Sequence, residues 1–231
     1  MHECALKYGE QSFQFKILGQ PQFVVFTSPA SVKHILADNF ENYEKGDLFR
    51  DKFTEMLGDG IFNVDGSKWY SHRKIASNIF KRVELEGFMT KVFVEHGRVL
   101  CSMLDRYASS GEEFDLQDLF YRYTLDTIAQ IAFGVELGCL EKGATEFSAA
   151  FDGAQRIAQE RMLTPLWPIR KRLWFLFPDE HQLRSSVHFL DKYAREVIAE
   201  RRKDKDLATR EDLLSLFMTR NNLDTNEPFV R

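Results

Sequence analysis

Cysteine is scarce in these 231 residues: Cys4, Cys101 and Cys139 are the full set. They are far apart, odd in number and in no CxxC pair, which argues against a disulfide framework and a cysteine-built zinc site. They read as buried or incidental thiols of a reducing compartment. The six histidines show no HExxH or related spacing, so no metal centre built by the chain itself is expected. Long apolar runs are missing too. The opening "MHECALKYGEQSFQFKILG" holds nothing long enough for a signal peptide or a bilayer span. As written, the chain reads as soluble or at most peripherally attached, with no membrane anchor. Charge of one sign is equally short: 31 Lys and Arg against 35 Asp and Glu leave a net charge of −4. That balance gives no basic face for nucleic acid. The clusters "RKR" (170–172) and "ERRKDK" (200–205) read as solvated helix faces. No nucleotide loop, nucleophile triad or paired-carboxylate pattern emerges.

What is present is ordinary globular material, 44% hydrophobic and 29% charged, with 21 phenylalanines, enough for one sizeable core. "SFQFKILG" and "PQFVVFTS" cluster β-formers around a Gly-Gln-Pro break and predict a hairpin over residues 12–27. "SPASVKHILAD" offers a cap, a first-turn proline and Val32, Ile35 and Leu36 at helical spacing. From Asn39 to Gly66 a long irregular connection is expected, with one helical turn around Leu48 to Leu57. Its apolar Phe49, Phe53, Leu57, Ile61 and Phe62 argue against disorder. Helices are then predicted at Ser67–Phe80, Leu85–Tyr107, Leu116–Phe133, Ala144–Met162, Asp179–Arg202 and Glu211–Thr219, with a short strand at Phe114. The expected architecture is one mainly α domain with a small sheet at its start. The ending "NNLDTNEPFVR" opens a helix at Glu-Pro and stops, so the chain is expected to be a piece of something longer.

In "GDGIFNVDGSKWYSHRK" (58–74) a turn-rich loop feeds a helix on which Trp69, Arg73, Ala76 and Phe80 share one face, broadened by Ile75 and Ile79. The pattern predicts that this face is buried. An unpaired guanidinium there is costly, so an anion should meet it. Two readings stand at this point. Arg73 pairs with an acid from another helix, or packs its stem while its head reaches water. Alternatively, the guanidinium fork and the indole N–H of Trp69 hold an anionic cofactor.

W-x-x-x-R early in a helix after "GDGIF" resembles the third helix of the cytochrome P450 haem-thiolate monooxygenases. "NYEKG", "TLDTIAQIAFGVELGCL", "FSAAFDGAQ" and "TPLWPIRKRLW" occur in that family's order. Together they are most similar to its long-chain fatty acid omega-hydroxylase branch, over nearly the whole chain. The resemblance implies the N-terminal half of a cytochrome P450-like helical fold, a single partial domain over 1–231 truncated before the long central helix. It implies haem as cofactor, with Trp69 and Arg73 hydrogen-bonding a propionate. It also implies that one oxygen atom of O₂ enters a fatty acid, on electrons drawn from NADPH by cytochrome P450 reductase. Phe62, with Ile61 as a weaker neighbour, falls where relatives place an aromatic over the haem face; on composition alone Phe62 could equally be a core residue closing its loop. Lys68, Lys74 and Lys81 could add charge for the reductase, though solvated lysines are the default. For the full-length enzyme the implied place is the cytoplasmic face of the endoplasmic reticulum membrane.

The sequence departs from the family in what it lacks. No cysteine sits in an F-x-x-G-x-x-x-C-x-G loop, and neither the A-G-x-D/E-T-T segment nor the following E-x-x-R pair is found. The axial thiolate is therefore absent, no catalytic residue is expected in this chain, and alone it is expected to be inactive. The stretch 162–178 mixes Trp167, Trp174, Phe175 and Phe177 with three basic residues, which suits a bilayer interface or, alternatively, a cover over the sheet. The competing function is a non-catalytic helical fragment or interaction domain with no haem.

Overall fold

The structure, a computed structural model, describes residues 3, 6, 7, 12–79 and 85–219. Strands β1 (Phe13–Lys16) and β2 (Gln22–Val25) are followed by helices α1 (Pro29–Lys33), α2 (Gly46–Leu57), α3 (Gly66–Ile79), α4 (Thr90–Ser110) and α5 (Leu116–Phe133). Then come α6 (Cys139–Lys142), α7 (Glu146–Glu160), α8 (Trp167–Arg172), α9 (Pro178–Lys203) and α10 (Leu213–Thr219). The chain is thus mainly helical with a hairpin at its start. It divides into two compact units, Met1–Lys74 with Gly153–Ser185 and Ile75–Asp152 with Ser186–Arg231.

In the first unit β1 and β2 pair antiparallel with Phe15 opposite Phe23, the two rings stacked at 5.1 Å. Ser28 caps α1 by accepting the Ser31 N–H, and Pro29 fills the first turn, where its missing N–H costs nothing. The expected single helical turn near Leu48 is instead the twelve-residue helix α2, ended by Gly58 at φ +51°. The reason lies in its inward face, which carries Lys52 as well as Phe53; a buried lysine breaks the apolar stripe that sequence periodicity relies on. Lys52 is 1% exposed, donates to Gln20 Oε1 at 3.1 Å and lies 5.8 Å from the centre of the Trp167 ring. Arg161, 3% exposed, reaches both carboxylate oxygens of the equally buried Glu180 (3.2 and 2.5 Å), Glu55 at 2.9 Å and the carbonyl of Lys52 at 3.0 Å. Helix α8, which sequence periodicity does not reveal, sets Trp167 beside Lys52, Arg161 and Lys171.

In the second unit α4 and α5 pack antiparallel to one another in chain order around Met103, Leu119 and Leu140, with Val99, Leu104 and Tyr123 at the margin. A second cluster joins Met89, Val92 and Ile131 to Leu213 and Phe217. Asp115 caps α5 by accepting the N–H groups of Gln117 and Asp118, and Gly134 ends it at φ +61°. Its bounds, Leu116–Phe133, are those the sequence predicts. The buried Asp126 accepts the N–H groups of Cys139 and Leu140 (2.9 and 2.7 Å) and so nucleates the short α6. Phe114 is not in a strand. Its ring stacks on Tyr107 at 4.3 Å, a contact any extended linker could make, and no neighbouring strand exists among the described residues. The predicted helix starting at Leu85 begins as a π-helical turn, Leu85–Met89, in which Gly87 leaves helical geometry (φ −93°, ψ −112°) before α4 starts. Phe80, Lys81, Cys4 and the Glu-Pro opening near the end lie outside the described residues.

Candidate functional site

Trp69 and Arg73 stand one turn apart on α3, within the first unit. Asp65 prepares that helix: its carbonyl accepts the Trp69 N–H at 3.3 Å, and Gly66 follows at φ +62°, a left-handed geometry that glycine adopts without strain. The indole of Trp69 is half-buried, packed on Phe40 with centroids 5.1 Å apart, and the Lys45 ammonium lies 5.8 Å from the ring centre. Among the described residues its ring N–H donates to nothing. Arg73 is exposed and, among the described residues, makes no hydrogen bond or ion pair. This corrects the expectation of a buried guanidinium: Phe40 covers Trp69 but Arg73 itself is exposed, so the group stays hydrated and incurs no desolvation cost. Among the described residues Arg73 is not neutralised by an acid of its own chain; its head reaches water, as the reading without a cofactor also allows. What remains is a planar guanidinium fork and an indole N–H, both uncommitted, one helical turn from each other. That donor set suits a carboxylate, and a haem propionate is one.

The loop before α3 is rigid at its base. Asn63, fully buried, donates from Nδ2 to the carbonyls of Gly58 (2.8 Å) and Arg50 (3.3 Å), while Val64 beside it is 2% exposed. Phe62, between these anchors and the glycines, is 72% exposed, and Ile61 is half-buried. Among the described residues the ring of Phe62 stands outside the packing of its unit and closes no core there. Lys68 is tied to Asp59 at 2.6 Å, which also accepts from Arg50 at 2.8 Å. The two cations hold the Asp59 carboxyl below its ordinary range, Lys68 contributing most.

In the 162–178 stretch the structure separates the aromatics. Trp167 is 4% exposed, caged by three cations, and cannot face a bilayer. Trp174 is half-buried against His181 and Arg184. The exposed apolar side chains of the stretch include Leu163, Leu166, Ile169, Phe175 and Leu176; of these, sequence reading singled out Phe175 alone, because Leu and Ile are presumed interior. Leu166 is the one described non-glycine residue with positive φ, +56°. No described helix is long and apolar enough to cross a membrane.

The remaining thiols offer little to a metal. Cys139 is fully buried, and burial pushes its thiol up, against a thiolate; Cys101 is exposed on α4.

Comparison with known proteins places these features. The chain is 34% identical over 215 residues to cytochrome P450 704C1 of Pinus taeda, a match spanning 88% of this chain and 41% of that one. To cytochrome P450 704B1 of Arabidopsis thaliana it is 35% identical over 209 residues, spanning 88% and 39%. Among solved structures, the cytochrome P450DA heme domain superposes with a TM-score of 0.77 at 20% identity, covering 98% of this chain and 47% of that one. The chain thus spans about two fifths of the length of the curated relatives it matches. The family model described as Cytochrome P450 matches residues 1–229, and the chain belongs to that family.

Proposed function

We propose that this chain is the N-terminal part of a haem-dependent monooxygenase that hydroxylates a long-chain fatty acid, with 1–231 forming one partial domain of the family fold. The observation that carries the reading is the pair of uncommitted donors on α3, the Trp69 N–H and the Arg73 guanidinium, in a chain of this family. In this reading they bind one propionate of haem. When bound, haem supplies the redox centre at which O₂ is used; its electrons come from NADPH through cytochrome P450 reductase. The chain's own residues bind and orient. Arg73 offers parallel N–H donors to the carboxylate, Trp69 adds a third donor and a flat apolar wall, and the anchored loop presents Phe62, with Ile61, toward an alkyl chain.

The membrane reading of 162–178 is kept with Phe175 but without Trp167 and Trp174. Leu163, Leu166, Ile169, Phe175 and Leu176 supply the exposed apolar surface, and Arg172 supplies positive charge beside it. This suits an enzyme at the cytoplasmic face of the endoplasmic reticulum membrane, drawing its substrate from the lipid phase.

Titrating the purified chain with hemin and with hemin dimethyl ester, followed in the Soret band, tests the clamp. Charge-assisted hydrogen bonds of about 1.5 kcal/mol or more predict at least a roughly tenfold preference for the free acid. Arg73→Leu should erase that preference. Equal affinities in the unmodified chain would favour the competing reading, a helical fragment with no haem. In a full-length enzyme, Phe62→Ala should shift the hydroxylated carbon while haem content holds; equal loss of both makes Phe62 structural.

A further inference from the structure

The "NYEKG" stretch has no part in the clamp as described so far, yet its lysine is held with unusual definition. Both carboxylate oxygens of Asp65 are engaged by this one segment. Oδ1 accepts the backbone N–H of Lys45 at 3.1 Å and its ammonium at 3.3 Å, and Oδ2 accepts the Gly46 N–H at 3.0 Å. The same ammonium donates to the Val64 carbonyl at 2.6 Å and stands 5.8 Å from the centre of the Trp69 ring. Two of its three donors are therefore spent on the residues that lead into α3. Burial opposes ionisation of Asp65, but the Gly46 and Lys45 amides and the Lys45 ammonium outweigh it and hold the carboxyl below its ordinary range. Free lysine side chains rarely keep one geometry, because immobilising them costs rotamer entropy. Here the side chain is fastened at its head, and the fastened charge rests on an indole.

We propose that Lys45 is a positioning residue for Trp69: its ammonium, pinned by Val64 and Asp65, fixes the indole so that the ring N–H and Arg73 serve one anionic ligand. The inference rests on the carboxylate-clamp reading of Trp69 and Arg73 and deepens it by naming what orients the indole. A cation against the ring draws electron density from it and strengthens the N–H as a donor. Phe40, in contact with the same indole, restricts its rotation without adding charge.

The test is the ratio of dissociation constants for hemin dimethyl ester and hemin, read in the same Soret titration. In Lys45→Met the ratio should fall at least threefold while affinity for the ester holds; Lys45→Arg should restore most of it. Lys45→Gln, which can still donate to the Val64 carbonyl but carries no charge, should behave as Lys45→Met and guards against a folding defect. A lysine that merely supports the loop would weaken acid and ester together and leave the ratio unchanged, and that result overturns the proposal. If the unmodified chain shows no ratio, the clamp falls and this inference with it. If the ratio is present, vanishes in Arg73→Leu and survives in Lys45→Met and Lys45→Gln, the clamp stands and only the role of Lys45 is lost.

Discussion

At the residue scale the first unit is organised around charges that are out of water. Arg161 sits between Glu180 and Glu55, and its truncation would strand a Glu180 carboxylate that is 3% exposed. Removing one partner of such a pair typically costs about 3–5 kcal/mol, so Arg161→Met should lower the unfolding free energy read from urea titrations by an amount of that order. Lys52 is the opposite case. Glu55 and Glu180 are committed to Arg161, Glu55 also meets Lys171, and among the described residues the Lys52 ammonium has one neutral acceptor, Gln20, beside the Trp167 face. Burial lowers its pKa from 10.5. A lysine that titrates lower in the fold than in the unfolded chain penalises folding while both states are charged. The penalty fades as pH climbs from the folded value toward 10.5. Lys52→Met should therefore stabilise the chain at pH 7, with the gain over the parent shrinking as urea titrations are repeated at higher pH; a loss at pH 7 would show that the Gln20 bond outweighs desolvation. None of this was legible beforehand. Arg161 and Glu55 are 106 positions apart, and charged side chains in a sequence are presumed to be solvated. Trp69 and Arg73 could be found because helical spacing puts them together whatever surrounds them.

At the element scale, helices with regular apolar stripes were predicted almost to the residue, α5 and α9 above all, and those with mixed faces were not. Helix α8 is six residues long, and its only buried member is Trp167, too short a signal for any periodicity. The 162–178 segment carries a prediction at this scale. Phe175→Ser with Leu176→Ser should reduce flotation with anionic phospholipid vesicles, whereas Trp174→Ser should act mainly on folding, since that ring is packed on His181. Unchanged flotation of the double variant would remove the membrane claim. Helix α5 has an unfilled side as well: Leu116, Phe120 and Ile128, at helical steps of four and eight, are each nearly half exposed.

At the scale of the whole molecule, the family was legible because the Trp-x-x-x-Arg helix and its companion motifs recur in order, and the match over residues 1–229 agrees. The burial of Arg73 was misjudged for the same reason that made it visible: a stripe shows which face is apolar, not what lies over it. The chemistry predicts a clean negative at this scale. Reduced chain carrying hemin and exposed to carbon monoxide should lack the difference band of a thiolate-ligated ferrous haem, since none of its three cysteines sits in the family's ligand loop; seeing that band would overturn the account of the ligand. In the second unit one guanidinium does the joining. Arg201 donates to the carbonyl of Phe133 at 2.7 Å, to Ser215 Oγ at 2.5 Å and to Asp212, linking the ends of α5 and α9 to the start of α10. Gly134 lies against that knot: a methyl group there would stand 2.7 Å from Arg201 Nη2 and 3.0 Å from Asp212 Oδ2, on a backbone at φ +61°. A side chain at this position meets both obstacles on a left-handed backbone, so a library randomised at this codon and selected for soluble expression should be enriched in the parental amino acid.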